Sequence, residues 1–149
     1  QMCIRDRMCD DAVGIVVSER VHRALKDYEI ELGCRTGLDV VDRIIGYNEA
    51  VIIDSMITKK VSPGSVVKIR HGEGMVSLRC THSHGMGLLQ AIELARKSGA
   101  RLPSIVIYGI EVEDPYTLGE GLTQSLRMSI DRIVKQIVDD IKRGAHKSA

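Results

Sequence analysis

Two carboxylates and an imidazole, Asp11, Asp54 and His84, are the side chains whose types and settings could act together. An O/O/N set of this kind suits a divalent first-row metal with coordination positions left open to substrate or water. It contains no thiolate, so a closed structural zinc site is not expected. Asp11 opens a helical pattern, Asp54 follows the apolar run Ala50-Val51-Ile52-Ile53, and His84 precedes the Gly85-Met86-Gly87-Leu88 start of another helix. Strand C-termini and helix N-termini at a sheet's carboxyl edge are where α/β folds place ligands. Each residue also has a plain structural reading. Asp11 is equally well read as an N-cap, Asp54 as a loop cap and His84 as a helix cap, although an unpaired buried carboxylate is costly. His82, two positions from His84, shares its face only if the segment is extended.

Other motifs carry less. Gly33-Cys34-Arg35-Thr36-Gly37 is a glycine-bounded turn before a helix and could expose backbone N–H groups to an anion. It fits neither the dinucleotide-binding nor the Walker pattern. Ser55 has no G-x-S-x-G elbow around it, which argues against a serine hydrolase. Cys34 and Cys80 are candidate nucleophiles, but buried inert thiols are commoner.

The elements that must position these residues follow from periodicity. Asp11 to Asp27 places Val13, Val16, Val17, Val21, Ala24 and Leu25 near helical spacing, with Asp10 and Asp11 available to cap the helix. Tyr28 to Leu32 alternates as a short strand, Gly33 to Gly37 turns, and Leu38 to Ile45 is a second helix. Ala50 to Ile53 reads as a buried central strand ending in Asp54-Ser55. Ser62-Pro63-Gly64 turns into a strand over Val66 to Ile69, and His71 to Thr81 is irregular. Gly85 to Ser98 is a helix stopped by Gly99. Ile105 to Tyr108 is another buried strand and leads into an acidic loop, Glu111 to Asp114-Pro115. A final helix spans Thr123 to Arg143, with Leu126, Ile130, Ile133-Val134, Ile137-Val138 and Ile141 on one stripe. Strands alternating with helices predict a three-layer α/β fold.

With 149 residues, the chain is expected to form one domain with a polar tail after Gly144. The apolar fraction is 44% with no Phe or Trp, so Val, Ile, Leu, Met and Ala must build the core. A net charge of +1 offers no single-sign surface, so neither nucleic acid nor a membrane surface is an expected partner. Cys3, Cys9, Cys34 and Cys80 form no C-x-x-C pair and suit a reducing compartment. No apolar run nears the roughly 20 residues of a membrane span, and no secretory h-region is present. A cytoplasmic protein is expected. Residues 1–9 alternate charge and cysteine where an α/β domain of this kind opens with a buried strand and a glycine turn; they read as a truncated or replaced N-terminus.

Read in order, "DDAVG", "GCRTGLDVVD", "AVIIDSM" followed by "PGSVVKI", "SHGMGLLQAIELAR", "IVIYGIEVED" and "GEGLTQSL" resemble the hydrogenase maturation proteases from Asp10 to about Arg143. The resemblance implies a twisted, mostly parallel sheet between helices, of the phosphorylase/hydrolase-like kind. It also implies an endopeptidase that trims the C-terminus of a nickel-loaded NiFe-hydrogenase large-subunit precursor. Asp11, Asp54 and His84 would then be the catalytic and metal-meeting residues, the nickel coming with the substrate and no organic cofactor being needed. Gly33, Cys34, Arg35, Thr36 and Gly37 would be the substrate-recognition loop, and the protein is expected to act as a monomer. The family's usual N-terminal strand and its Gly-x-Gly-Asn turn are absent from residues 1–9. A non-catalytic, nickel-sensing assembly chaperone for the same precursor is the alternative, with an α/β hydrolase-like enzyme on another substrate and a small-molecule-binding domain behind it.

Overall fold

The two apolar runs centred on Ile52 and Ile107 are strands that lie side by side in parallel. The computed structural model describes residues 12–30, 32, 36–70, 87–113 and 122–145. Within these the order is α1 (Val13–Ala24), α2 (Gly37–Ile44), β1 (Glu49–Met56), β2 (Val66–Arg70), α3 (Leu88–Lys97), β3 (Ser104–Glu111) and α4 (Gln124–Ala145). β1 pairs with β3 from Glu49↔Ser104 to Met56↔Glu111. β2 lies on the other side of β3 and runs antiparallel to it, from Val66↔Ile110 to Arg70↔Val106. The described sheet, in order β1-β3-β2, is therefore mixed. The loop of residues 57–65 between β1 and β2 is too short for a parallel crossover, which needs a dozen or more residues. It crosses the carboxyl end of β3 and sends β2 back antiparallel.

Alternation along the strands divides the core into two clusters, one on each face of the sheet. On one face α1 contributes Val13, Val17 and Val21, and α4 contributes Leu126, Ile130, Ile133, Ile137 and Ile141. Both sets pack on Tyr108 and Ile110. On the other face Val41 of α2 and Ala91 and Ile92 of α3 pack on Ala50, Ile105 and Ile107. The result is helix, sheet and helix in three layers. Full burial of each branched side chain stabilises the fold by about 1.5–3 kcal/mol, so the α4 stripe is the largest single contributor to the first cluster. Near the C-terminal end of that stripe Asp140 of α4 accepts a hydrogen bond from Tyr108 at 2.7 Å and ion-pairs with Lys68 of β2, tying α4 to both strands. Among the described residues no helix is long and apolar enough to cross a membrane.

Three expectations change. Tyr28, Glu29, Ile30 and Leu32 are not in a strand. Instead of pairing in a ladder, the segment makes side-chain bonds, Tyr28 donating to Glu49 at 3.3 Å and Glu29 accepting from Tyr47 at 2.5 Å. Asp54 lies inside β1 rather than after it, because pairing continues through Ser55 and Met56. Glu111, expected to open an acidic loop, is the last residue of β3 and only 2% exposed. His71 to Thr81, and Asp114-Pro115, fall outside the described residues.

Candidate active site at the carboxyl edge

Three helices begin at the same edge of the parallel pair, because each runs opposite to the strands it covers. α1 starts beside the end of β1: a Cβ on Gly14 would meet the Ile53 carbonyl oxygen at 3.0 Å and the Asp54 Cα at 3.3 Å. Beyond the other end of α1, Tyr28 reaches Glu49, the first residue of β1. α2 and α3 each lead directly into the amino end of a strand, and those ends are joined by Ser104 N–H to Asn48 O at 3.0 Å. The first turns of α2 and α3 therefore lie at the carboxyl edge. Backbone N–H groups unsatisfied within a helix point outward from such turns and carry partial positive charge.

Gly37 lets the first turns of α2 and α3 meet. It is buried, and a Cβ there would stand 2.9 Å from the Ala91 Cβ, the Gly87 carbonyl oxygen and the Leu88 Cα. Thr36 caps α2. Its hydroxyl accepts from Asp39 N–H at 3.2 Å, and the Asp39 carboxylate accepts from Thr36 N–H at 3.0 Å. This reciprocal box fixes how the chain enters α2, and Thr-x-x-Asp was its readable signal. At the start of α1 the N-cap position falls on Ala12, whose side chain makes no cap bond.

Asp54 is half-buried, and its Oδ1 accepts the N–H of Ser55 at 2.9 Å. Ala50 and Ile52 pack against α2 and α3, so by alternation Asp54 belongs to that same face, toward which α3 presents its first turn. A carboxylate so placed can bind a cation, or accept a proton from water. Asp11, His84, Gly33, Cys34 and Arg35 lie outside the described residues. In sequence, Asp11 stands immediately before Ala12, and His84 three positions before Gly87, the N-cap of α3. Among the described residues no three His, Cys, Asp or Glu side chains gather as a metal-holding group.

The group that sequence reasoning missed is Glu111. It ends β3 beneath the crossing loop, where its Oε1 accepts the N–H groups of Thr58 at 2.8 Å and Lys59 at 2.7 Å. Its Oε2 accepts the Thr58 hydroxyl at 2.9 Å. The signal was the Ile110-Glu111-Val112 continuation of the strand's alternation, which put an acid inside an element.

An α/β layer structure with a carboxylate and several helix N-termini at one strand edge places its candidate site where open-sheet α/β proteins bind their ligands. Residues 15–140 match the hydrogenase maturation protease family, and the chain belongs to that family of peptidases. It is 24% identical over 137 residues to the hydrogenase 2 maturation protease of Escherichia coli (strain K12), covering 88% of this chain and 82% of that protein. Its fold is similar to that of the hydrogenase maturating endopeptidase HybD of E. coli, with a TM-score of 0.73 and 19% identity over 94% of this chain and 88% of that one. The NiFe-hydrogenase maturation protease HybD of Thermococcus kodakarensis gives 0.66 and 24% identity, over 91% of this chain and 92% of that one.

Proposed function

We propose that this peptidase is an aspartyl-type endopeptidase that removes the C-terminal extension of a nickel-loaded NiFe-hydrogenase large-subunit precursor in the cytoplasm, acting as a monomer. The observation that supports this reading above the others is the setting of Asp54. It is a half-buried carboxylate at the carboxyl edge of a parallel pair, on the face toward which α3 begins and with the first turn of α1 packed on its Cα. Asp11 precedes that turn in sequence and His84 precedes α3, so Asp11, Asp54 and His84 form the proposed set that meets the substrate's nickel.

In this reading the nickel belongs to the precursor and supplies Lewis-acid polarisation of a carbonyl. Asp54 and Asp11 orient the loaded precursor and provide a carboxylate able to take a proton from the attacking water. A precursor without nickel lacks the partner for these side chains and is left uncut. The segment of residues 33–37 would contact the precursor, with Arg35 available to an acidic stretch.

Incubation of the protein with a purified large-subunit precursor, with and without nickel, tests this. The expected outcome is a nickel-dependent size shift, abolished in Asp54→Asn and His84→Ala at unchanged circular dichroism. Full cleavage by either variant removes the residue assignment. Stable binding with no size shift would favour the nickel-sensing chaperone instead.

A further inference from the structure

Beyond the carboxylates, the same edge carries a cationic turn that is held unusually firmly. After β1 the chain passes through Thr58, Lys59 and Lys60, and Lys59 is the one described non-glycine residue with positive φ, at 57°. Left-handed backbone is unfavourable for lysine and persists where neighbouring groups over-determine it. Here they do. The Thr58 and Lys59 N–H groups donate to Glu111 Oε1, and the Thr58 hydroxyl donates to Glu111 Oε2. The Lys60 N–H donates in turn to the Thr58 hydroxyl oxygen at 3.2 Å. The far end of the loop is fixed as well: Gly64 N–H donates to the Glu111 carbonyl at 2.7 Å, and Arg132 of α4 donates to the Gly64 carbonyl at 2.9 Å.

Glu111 thus spends a buried carboxylate on shaping three residues, although burying a charge is expensive unless it is fully hydrogen-bonded. The three residues end in two exposed ammonium groups, Lys59 and Lys60, which pair with no carboxylate among the described residues. They are followed by Val61, 40% exposed. The turn stands at the carboxyl edge, the edge at which Asp54 lies and α1, α2 and α3 begin. Two exposed cations on a fixed backbone turn, beside an exposed valine, match an acidic peptide segment bearing an apolar residue.

We propose that Glu111 is a positioning residue that presents Lys59 and Lys60 as a docking turn for an acidic segment of the protein substrate, next to the scissile site. The inference rests on the proteolytic reading above and adds a specificity element to it. Charges on an interface rim act mainly on encounter and on ground-state binding.

The test uses the full-length protein and a purified nickel-loaded large-subunit precursor, with cleavage kinetics and direct binding measured in parallel. The double variant Lys59→Ala/Lys60→Ala, at two exposed side chains and with its fold checked by circular dichroism, is expected to raise KM roughly three- to tenfold at unchanged kcat, as two exposed charge pairs would. The binding loss should shrink at high salt. Glu111→Ala should reproduce the KM defect. Glu111→Gln should restore KM toward the wild-type value, because an amide oxygen can accept both N–H groups while its nitrogen donates to the Thr58 oxygen. Unchanged KM and binding in the double variant overturn the docking turn, while Asp54→Asn still reports on the proteolytic reading. If no cleavage occurs but the double variant binds the precursor more weakly, the docking turn stands and the proteolytic reading falls.

Discussion

One added methyl group at Gly37 tests the claim that the first turns of α2 and α3 are in direct contact. In Gly37→Ala the new Cβ would lie 2.9 Å from the Ala91 Cβ, the Gly87 oxygen and the Leu88 Cα. Carbon atoms prefer separations of about 3.5–4.0 Å, so the helices must part by roughly 0.6–1 Å. No flexible side-chain end can swing away, because every obstructing atom is backbone or a first side-chain carbon. Overpacking of this kind costs about 1–3 kcal/mol, and the better helix propensity of alanine returns at most about 1 kcal/mol. These terms leave about 0–3 kcal/mol, and a loss of about 1–2 kcal/mol at the middle of that range lowers Tm by about 2–8 °C in a chain of this size. The control is Gly144→Ala in α4, where a Cβ meets nothing within 4 Å; the same methyl there should leave Tm unchanged or raise it slightly. Adding Ala91→Gly to Gly37→Ala removes one of the three clashes, so a double-mutant cycle should return a favourable coupling of about 0.5–1 kcal/mol. Thermal unfolding followed by circular dichroism reads all five proteins: the wild type, Gly37→Ala, Ala91→Gly, the double variant and the Gly144→Ala control. A Gly37→Ala protein that melts at or above the wild-type temperature would refute the contact.

Two further outcomes follow from described groups. Burial pushes the Asp140 carboxyl up, but the hydrogen bonds from Lys68 and Tyr108 and the charges of Lys68 and Arg143 outweigh it, leaving the pKa below its ordinary 3.8. A depressed carboxylate stabilises the fold above its unfolded pKa and loses that contribution as pH falls through the folded value. Urea unfolding of Asp140→Asn should therefore show a flatter decline than the wild type below about pH 4, and identical slopes would remove Asp140 from the account. Thr36→Ala deletes half of the α2 capping box and should cost about 1 kcal/mol, read as a Tm lower by about 2–4 °C; Thr36→Ser should recover most of it.

Much of the frame could be read before any coordinates. The α4 stripe from Leu126 to Ile141 and the stop at Gly99 came directly from spacing, because a long amphipathic helix leaves a period that few other structures imitate. The apolar runs at Val51 and Val106 were legible as strands from their length and β-branched content. Only β3 proves central and mostly buried, while β1 lies at the edge of the described sheet with Val51 to Ile53 partly exposed, a correction to the buried central strand expected there. The direction of β2 was not legible, since periodicity carries no sign; the short 57–65 connection held that information instead. Tyr28 to Leu32 misled because so short an alternation does not require a ladder partner: Tyr28 packs on the cluster and bonds Glu49, and Glu29 bonds Tyr47, with no strand pairing among the described residues. At the site, Asp54 could be placed by its position after an apolar run. The contacts of Gly37 with Gly87, Leu88 and Ala91 could not, because they join positions about fifty residues apart. Glu111 went unread because an acid at a strand end looks like the beginning of a loop until its three donors are known.

The cluster beneath one face of the sheet is assembled from the first described helix and the last. Arg20 and Asp131, 111 positions apart, touch across it. At a translation speed of about 5–20 residues per second, Val13, Val17 and Val21 leave the ribosome roughly 5–20 s before the isoleucines of α4 exist to cover them. For that interval α1 has only the strands to rest on, and the part of the strand face that α4 covers stays open. Completion of this cluster is therefore one of the last events in the making of the chain, because its largest share of side chains is the last described element to be synthesised.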